Sequence, residues 1–137
     1  MKLLSIIKYF LVLFLFAGMG CEEVTIDKAF TLGNETTFRM NQVYYSADGQ
    51  YSLKITDIND SRCPEGVVCF WAGEVTVKGE WTENDNKSAF ELHSVLSELQ
   101  KQPDGFTIQL IDAKPYPKYG AGSNPEDLVI TLLITKN

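Results

Sequence analysis

The chain has 137 residues, with twelve basic residues, eighteen acidic residues and one histidine. Two of the basic residues, Lys2 and Lys8, fall in the first twenty, so the remaining 117 residues carry a formal charge of −8. A chain of that size buries one ordinary hydrophobic core. Its acidity offers no Lys/Arg cluster for a nucleic-acid backbone, and with His93 alone most catalytic constellations lack their commonest general base.

At the N-terminus, Lys2 and Lys8 accompany the apolar run YFLVLFLFA at 9–17. Such a run suits the hydrophobic region of a secretory signal and is too short to cross about 30 Å of hydrocarbon as a helix. Ala17, Gly18 and Gly20 then lead to Cys21. Small residues before a lone cysteine resemble the lipobox of bacterial lipoproteins. Gly18 and Met19 depart from it, because that family prefers a branched aliphatic residue and a small residue at those positions. The resemblance implies cleavage before Cys21 and acylation of Cys21. The expected organisation is a signal peptide at 1–20, a tether at 21–30 and a β domain at 31–137. Each buried acyl methylene contributes about 0.8 kcal/mol, so a multiply acylated cysteine anchors stably. The expected location is the bacterial cell envelope, lipid-anchored, with the outer membrane as the expected membrane and its face undecided. Glu22 and Glu23 resemble a surface-display signal, though an ordinary polar tether accounts for them better.

Beyond the tether the hydrophobic period is two. Tyr51, Leu53 and Ile55 alternate with Ser52, Lys54 and Thr56. The longest strand is predicted over 67–81, with Val67, Cys69, Trp71, Gly73, Val75, Val77, Gly79 and Trp81 on the inner face and Glu74, Thr76, Lys78 and Glu80 on the outer. Gly73 and Gly79 on that inner face are expected to make room for a tryptophan or to mark a bulge. TENDN at 82–86 reads as a turn, after which Phe90 and Leu92 resume the alternation. Ser94 to Gln102 is the only helical pattern, through Val95, Leu96 and Leu99, and it stops at Pro103. Phe106, Ile108 and Leu110 form another strand, ending at PYP, 115–117. The glycine-rich 120–125 stretch precedes a strand and reads as a loop rather than a phosphate cradle. Residues 128–134 are apolar on both parities, which predicts a central strand covered on two sides. About seven short strands with polar turns predict an all-β fold, a single antiparallel β-sandwich or barrel-like domain.

Cys63 and Cys69 remain as an even pair once Cys21 is set aside. In an exported protein the default for such a pair is a disulfide, and Pro64 and Gly66 let the chain turn back between them. A thiol metal site or redox pair is the alternative, but five intervening residues lack the two-residue spacing that tunes a redox thiol.

The segment 60–74, DSRCPEGVVCFWAGE, concentrates both cysteines, a Pro-x-Gly turn and a tryptophan. It resembles an uncharacterised family of small bacterial envelope lipoproteins with an RCP…C.WAG core motif, and the PYP segment followed by a final apolar strand is similar too. The resemblance covers roughly residues 30–135 and marks Arg62, Cys63, Pro64, Cys69, Trp71, Ala72, Gly73 and Glu74. It implies export, a small β fold and a disulfide-pinned loop, and carries over no established activity. By parity Trp71 is expected in the core beside the bridge and Phe70 on the surface. Arg62 and Glu74 are expected to pair across the loop base. Arg62, Glu65, Phe70 and Glu74 form the candidate binding surface, since rigid loops on β scaffolds commonly carry recognition.

Other chemistry is weakly supported. His93 has no catalytic signature around it. Asp57, Asn59, Asp60 and Ser61 resemble a calcium loop without its glycine at position six or its glutamate at position twelve. Paired carboxylates of the glycosidase type stay open, because spacing alone cannot choose a pair among eighteen acids. The expected function is a non-catalytic, lipid-anchored envelope β domain that binds a protein, peptide or glycan, or has a structural role, without a cofactor, metal or nucleic acid. The alternatives are an envelope-polymer hydrolase using paired carboxylates, a protease-inhibitor-like lipoprotein or a metal-handling lipoprotein.

Overall fold

Period-two alternation builds two sheets around one core. The computed structural model describes residues 28–95, 100–101, 105–121 and 124–137; Cys21, the expected signal peptide and the tether up to residue 27 lie outside them. The strands are β1 (Ala29–Phe30), β2 (Glu35–Arg39), β3 (Val43–Ser46), β4 (Tyr51–Asp60), β5 (Val75–Glu83), β6 (Asn86–His93), β7 (Gln100–Lys101), β8 (Phe106–Lys114) and β9 (Val129–Lys136). One sheet has the order β1-β3-β4-β5-β6 and the other β2-β9-β8-β7. The protein is therefore an all-β, sandwich-like domain rather than a closed barrel. Its pairings are antiparallel except for β1 beside β3, which run parallel. No helix among the described residues is long and apolar enough to cross a membrane.

Aromatic rings fill the space between the sheets. Trp81 of β5 stacks on Tyr51 at 5.3 Å and packs against Phe106 of the opposite sheet at 4.9 Å. Phe38 meets Tyr44 edge-on at 4.7 Å, also across the sandwich. Leu53, Ile55, Val75, Val77, Leu92, Ile108, Ile130 and Leu132 complete this core. Phe30 is buried in it as well, so the domain already includes β1. Burial of each such side chain stabilises the fold by roughly 1.5–3 kcal/mol.

Two bulges reset the parity, and the sequence pattern does not announce either. In β4 the register slips between Ile55 and Asp57, so the inner face passes from Tyr51, Leu53 and Ile55 to Ile58 and Asp60. In β8 it slips between Leu110 and Asp112, which brings Ala113 inward. The first slip places an aspartate on the core face, with consequences for the site below.

Several expected elements differ. The strand predicted over 67–81 begins only at Val75. The turn narrows to Asn84 and Asp85, both at positive φ, as a two-residue hairpin of twisted strands requires. Gly79 accommodates Phe90, not a tryptophan: a Cβ there would overlap the Phe90 ring and lie 2.7 Å from the Lys54 carbonyl oxygen. In place of the helix expected over 94–102, Gln100–Lys101 pairs with β8; residues 96–99 and 102 lie outside the described residues. Strand β9 is central in its sheet, but its burial alternates, so one face is covered fully and the other only in part. Residues 57–60, the candidate calcium-loop acids among them, belong to extended strand β4.

Candidate functional site

The loop at 61–74 leaves β4 and returns as β5, and the sequence holds its two arms together at close range. Ser61 N–H donates to the Glu74 carbonyl at 2.8 Å, and Cys63 N–H donates to the Ala72 carbonyl at 2.8 Å. The Ser61 hydroxyl donates to the Glu74 carbonyl and accepts from the Glu74 N–H at 3.1 Å. Gly73 has φ +67°, and a Cβ there would lie 2.6 Å from the Ser61 carbonyl carbon, so only glycine fits. Gly66, at φ +85°, makes the turn after Pro64 and Glu65. The sulfurs of Cys63 and Cys69 are within bonding distance, with Cα atoms 5.9 Å apart.

Arg62 fixes this loop to the other sheet. Its guanidinium donates to both carboxylate oxygens of Asp60, at 2.8 and 2.6 Å. It also donates to the carbonyls of Ala113 at 2.8 Å and Pro115 at 3.1 Å, and lies 4.5 Å over the Tyr116 ring. The Asp60 carboxylate raises the Arg62 pKa above its usual value despite the opposing effect of burial. Glu65 N–H adds a bond to the Pro117 carbonyl at 2.9 Å. The loop is thereby held to β8 and the segment after it, and its foundation spans both sheets.

The expected Arg62–Glu74 bridge is not formed. The bulge in β4 turns Asp60 inward, two residues from Arg62, and a buried carboxylate claims the guanidinium. Glu74 faces His93 instead, with 3.3 Å from its carboxylate to Nδ1 but without hydrogen-bond alignment. Trp71 is the second correction. It is 77% exposed, because strand alternation cannot continue through Gly73 at positive φ and strand β5 begins only at Val75. Phe70 lies on the surface as expected, fully exposed, and Val68 beside it is 99% exposed. Glu65 is also exposed.

The structure thus separates the candidate residues into two groups. Arg62 belongs to the loop's foundation with Asp60 and Tyr116, while Phe70, Val68 and Trp71 form an apolar tip. Asp60 was findable, since an acid two residues before an arginine shares its strand face. Val68 shares the parity of Phe70, so its exposure was findable as well.

Shallow clefts lie elsewhere. One, of about 260 Å³, is lined by Pro115, Tyr116, Pro117 and Leu128 among others, next to the foundation. Another, of about 370 Å³, lies at the opposite end of β4 and includes Asp48 and Asp85. The Ser46 hydroxyl and Gln50 N–H hold the Asp48 carboxyl below its usual pKa, the reverse of what a general acid requires. Among the described residues, no three His, Cys, Asp or Glu side chains are grouped to hold a metal ion. No protein-family model, curated protein or solved structure matches the chain.

Proposed function

We propose that this protein is a non-catalytic, lipid-anchored envelope domain, held by Cys21, that presents the 61–74 loop as a preorganised contact surface. The signal-like run before Cys21 and the RCP…C.WAG resemblance support the anchor and the compartment. The observation that carries the contact surface is the combination of Val68, Phe70 and Trp71, all exposed, on a loop fixed by a disulfide and by Arg62. Large apolar side chains grouped in solvent mark interaction sites, and a loop already ordered loses little entropy on binding.

The test is made in cells with the full chain. A photo-reactive amino acid at position 70 forms adducts with an envelope component, whereas the same group at Asp85, on the far turn, does not. Cys21→Ser releases the protein from the membrane fraction or blocks its maturation. Absence of any adduct at position 70 refutes the contact surface, and membrane retention of Cys21→Ser with an unmodified N-terminus refutes the anchor.

A further inference from the structure

We propose that the loop tip is a second membrane contact, with Val68, Phe70 and Trp71 seated at the headgroup–acyl boundary of the bilayer that carries the Cys21 anchor. The inference rests on the lipid-anchored reading above and names what the contact surface touches.

Three observations converge on a bilayer. The first is chemical. Residues 66–72, GVVCFWA, contain no charge, and Val68 and Phe70 contribute almost nothing to their own fold. Tryptophan and tyrosine favour the boundary between water and hydrocarbon, and Tyr119, next to Lys118 whose backbone pairs with that of Glu65, is exposed as well. A tip immersed about 5–10 Å stays within the headgroup region, where backbone polar groups remain hydrated.

The second is the direction in which the chain leaves the domain. Strand β1 runs parallel to β3, with Ala29 opposite Tyr45, and the Tyr45 N–H to Lys28 carbonyl bond of 2.9 Å continues that direction one residue back. Strand β3 is antiparallel to β4, with Tyr45 opposite Ser52. Followed back from Phe30 to Lys28, strand β1 therefore points toward the end where β4 passes into the 61–74 loop. From Ser52 to Asp60 the strand advances eight residues, about 26 Å at 3.3 Å per residue. From Ala29 back to Cys21 is also eight residues, with a maximum reach of about 26–29 Å. An anchor at Cys21 thus reaches the level of the loop base when the intervening eight residues are fully extended.

The third is charge. The opposite end of the sandwich presents Asp48, Glu83 and Asp85 around its turns, which suits water and not a lipid surface. With Cys21 embedded, the tip needs little affinity of its own, because the tether raises its local concentration at the bilayer to roughly the millimolar range.

Tryptophan fluorescence reads this directly, since the chain's two tryptophans differ in access: Trp71 is exposed and Trp81 is buried. The full lipidated chain is reconstituted into phosphatidylcholine vesicles with or without bromine on shallow acyl carbons. Emission is expected to fall by up to about half on the brominated lipid, the share of one interfacial tryptophan of two. Trp71→Phe abolishes that fall. Phe70→Asp and Val68→Asp each weaken it several-fold while the protein still sediments with the vesicles. If the anchored wild-type chain is unquenched by bromolipid and open to aqueous iodide, the tip points away from the bilayer and the inference fails while the anchored reading stands. Protection of Trp71 from both quenchers places a protein or a second copy on the tip and also overturns it. Failure of the wild-type chain to sediment with vesicles overturns the anchored reading, and this inference with it.

Discussion

Replacing Arg62 with alanine removes the foundation of the loop, and its cost follows from the position of Asp60. The bulge in β4 puts that carboxylate on the core face, where its side chain is 2% exposed, and the Arg62 side chain that neutralises it is 11% exposed. Alanine also removes the bonds to the Ala113 and Pro115 carbonyls, but these lie toward the surface, where water can replace the lost donor. The stranded carboxylate dominates, since breaking a buried pair from one side costs about 3–5 kcal/mol. Solvent lies close to this end of the sandwich, so the lower figure applies, about 3 kcal/mol. At about 4 °C per kcal/mol for a domain near 100 residues, the Tm falls by roughly 12 °C. Arg62→Lys keeps the charge without the planar fork and loses less. Asp60→Ala combined with Arg62→Ala leaves no stranded charge, so the double variant is more stable than the two single losses predict, with a coupling of about 1–3 kcal/mol. Urea denaturation of the five proteins (wild type, Arg62→Ala, Arg62→Lys, Asp60→Ala and the double variant) at pH 7, at constant m, measures all of this. An Arg62→Ala loss below about 1 kcal/mol, or additive single losses, would refute the assignment of this pair as the foundation.

Further outcomes are expected. Cys63→Ser with Cys69→Ser costs about 2 kcal/mol by the loop-closure estimate for a short ring, and unreduced peptide mass spectrometry of the native protein finds the pair two hydrogens lighter than the dithiol. Gly79→Ala forces Phe90 or the β4 backbone to move and costs about 1–3 kcal/mol in denaturant titration. Val68→Ser and Phe70→Ser leave the stability in denaturant titration unchanged within about 0.5 kcal/mol, since neither side chain packs on the domain; a larger loss would show the tip to be part of the fold. Hydrogen bonding from Ser46 holds the Asp48 carboxyl below its ordinary 3.8, and Lys114 does the same for Asp112. Both groups therefore bind protons more readily in the unfolded chain. Their stabilisation is complete above the unfolded pKa and is lost as pH falls through the lowered folded values. A Tm series from pH 6 to pH 2 shows the decline, and Asp48→Asn and Asp112→Asn flatten it.

Legibility varied with what each residue's environment required. Alternation alone located β4, β5, β6 and β8, because in each the inner-face residues are apolar and contiguous: Tyr51 with Leu53, Val75 with Val77, Phe90 with Leu92, Phe106 with Ile108. It failed wherever parity was interrupted. A bulge adds one backbone residue without needing a special side chain, so the slips after Ile55 and Leu110 left no compositional trace. Without the first slip, Asp60 does not face inward and Arg62 has no buried partner, which is why Glu74 was expected in its place. Trp71 was misplaced for the related reason that alternation was carried through Gly73, whose positive φ breaks it. In β9 the apolar odd positions, Val129 and Leu133, suggested cover on both faces, yet they are only half-buried on the outer side of their sheet.

The same comparison bears on what the loop is for. None of the buried hydrophobic core comes from residues 61–74. Joining two antiparallel strands requires as little as the Asn84–Asp85 turn that joins β5 to β6. Between β4 and β5 the chain instead carries a disulfide, a glycine at a contact where no Cβ fits, a bidentate pair reaching both sheets, and backbone bonds to Ala72, Glu74 and Pro117. Pinning the β4–β5 register does not account for these restraints, since eight further residue pairs from Tyr51↔Glu83 to Asn59↔Thr76 already fix it. What they hold in place is the loop that carries Val68, Phe70 and Trp71, all exposed. Fixed apolar groups kept in solvent carry an aggregation liability, and that liability is offset only if something covers them. On the proposed reading the rigid base and the exposed tip act together, and the bromolipid experiment on Trp71 tests it at the atoms that would make contact.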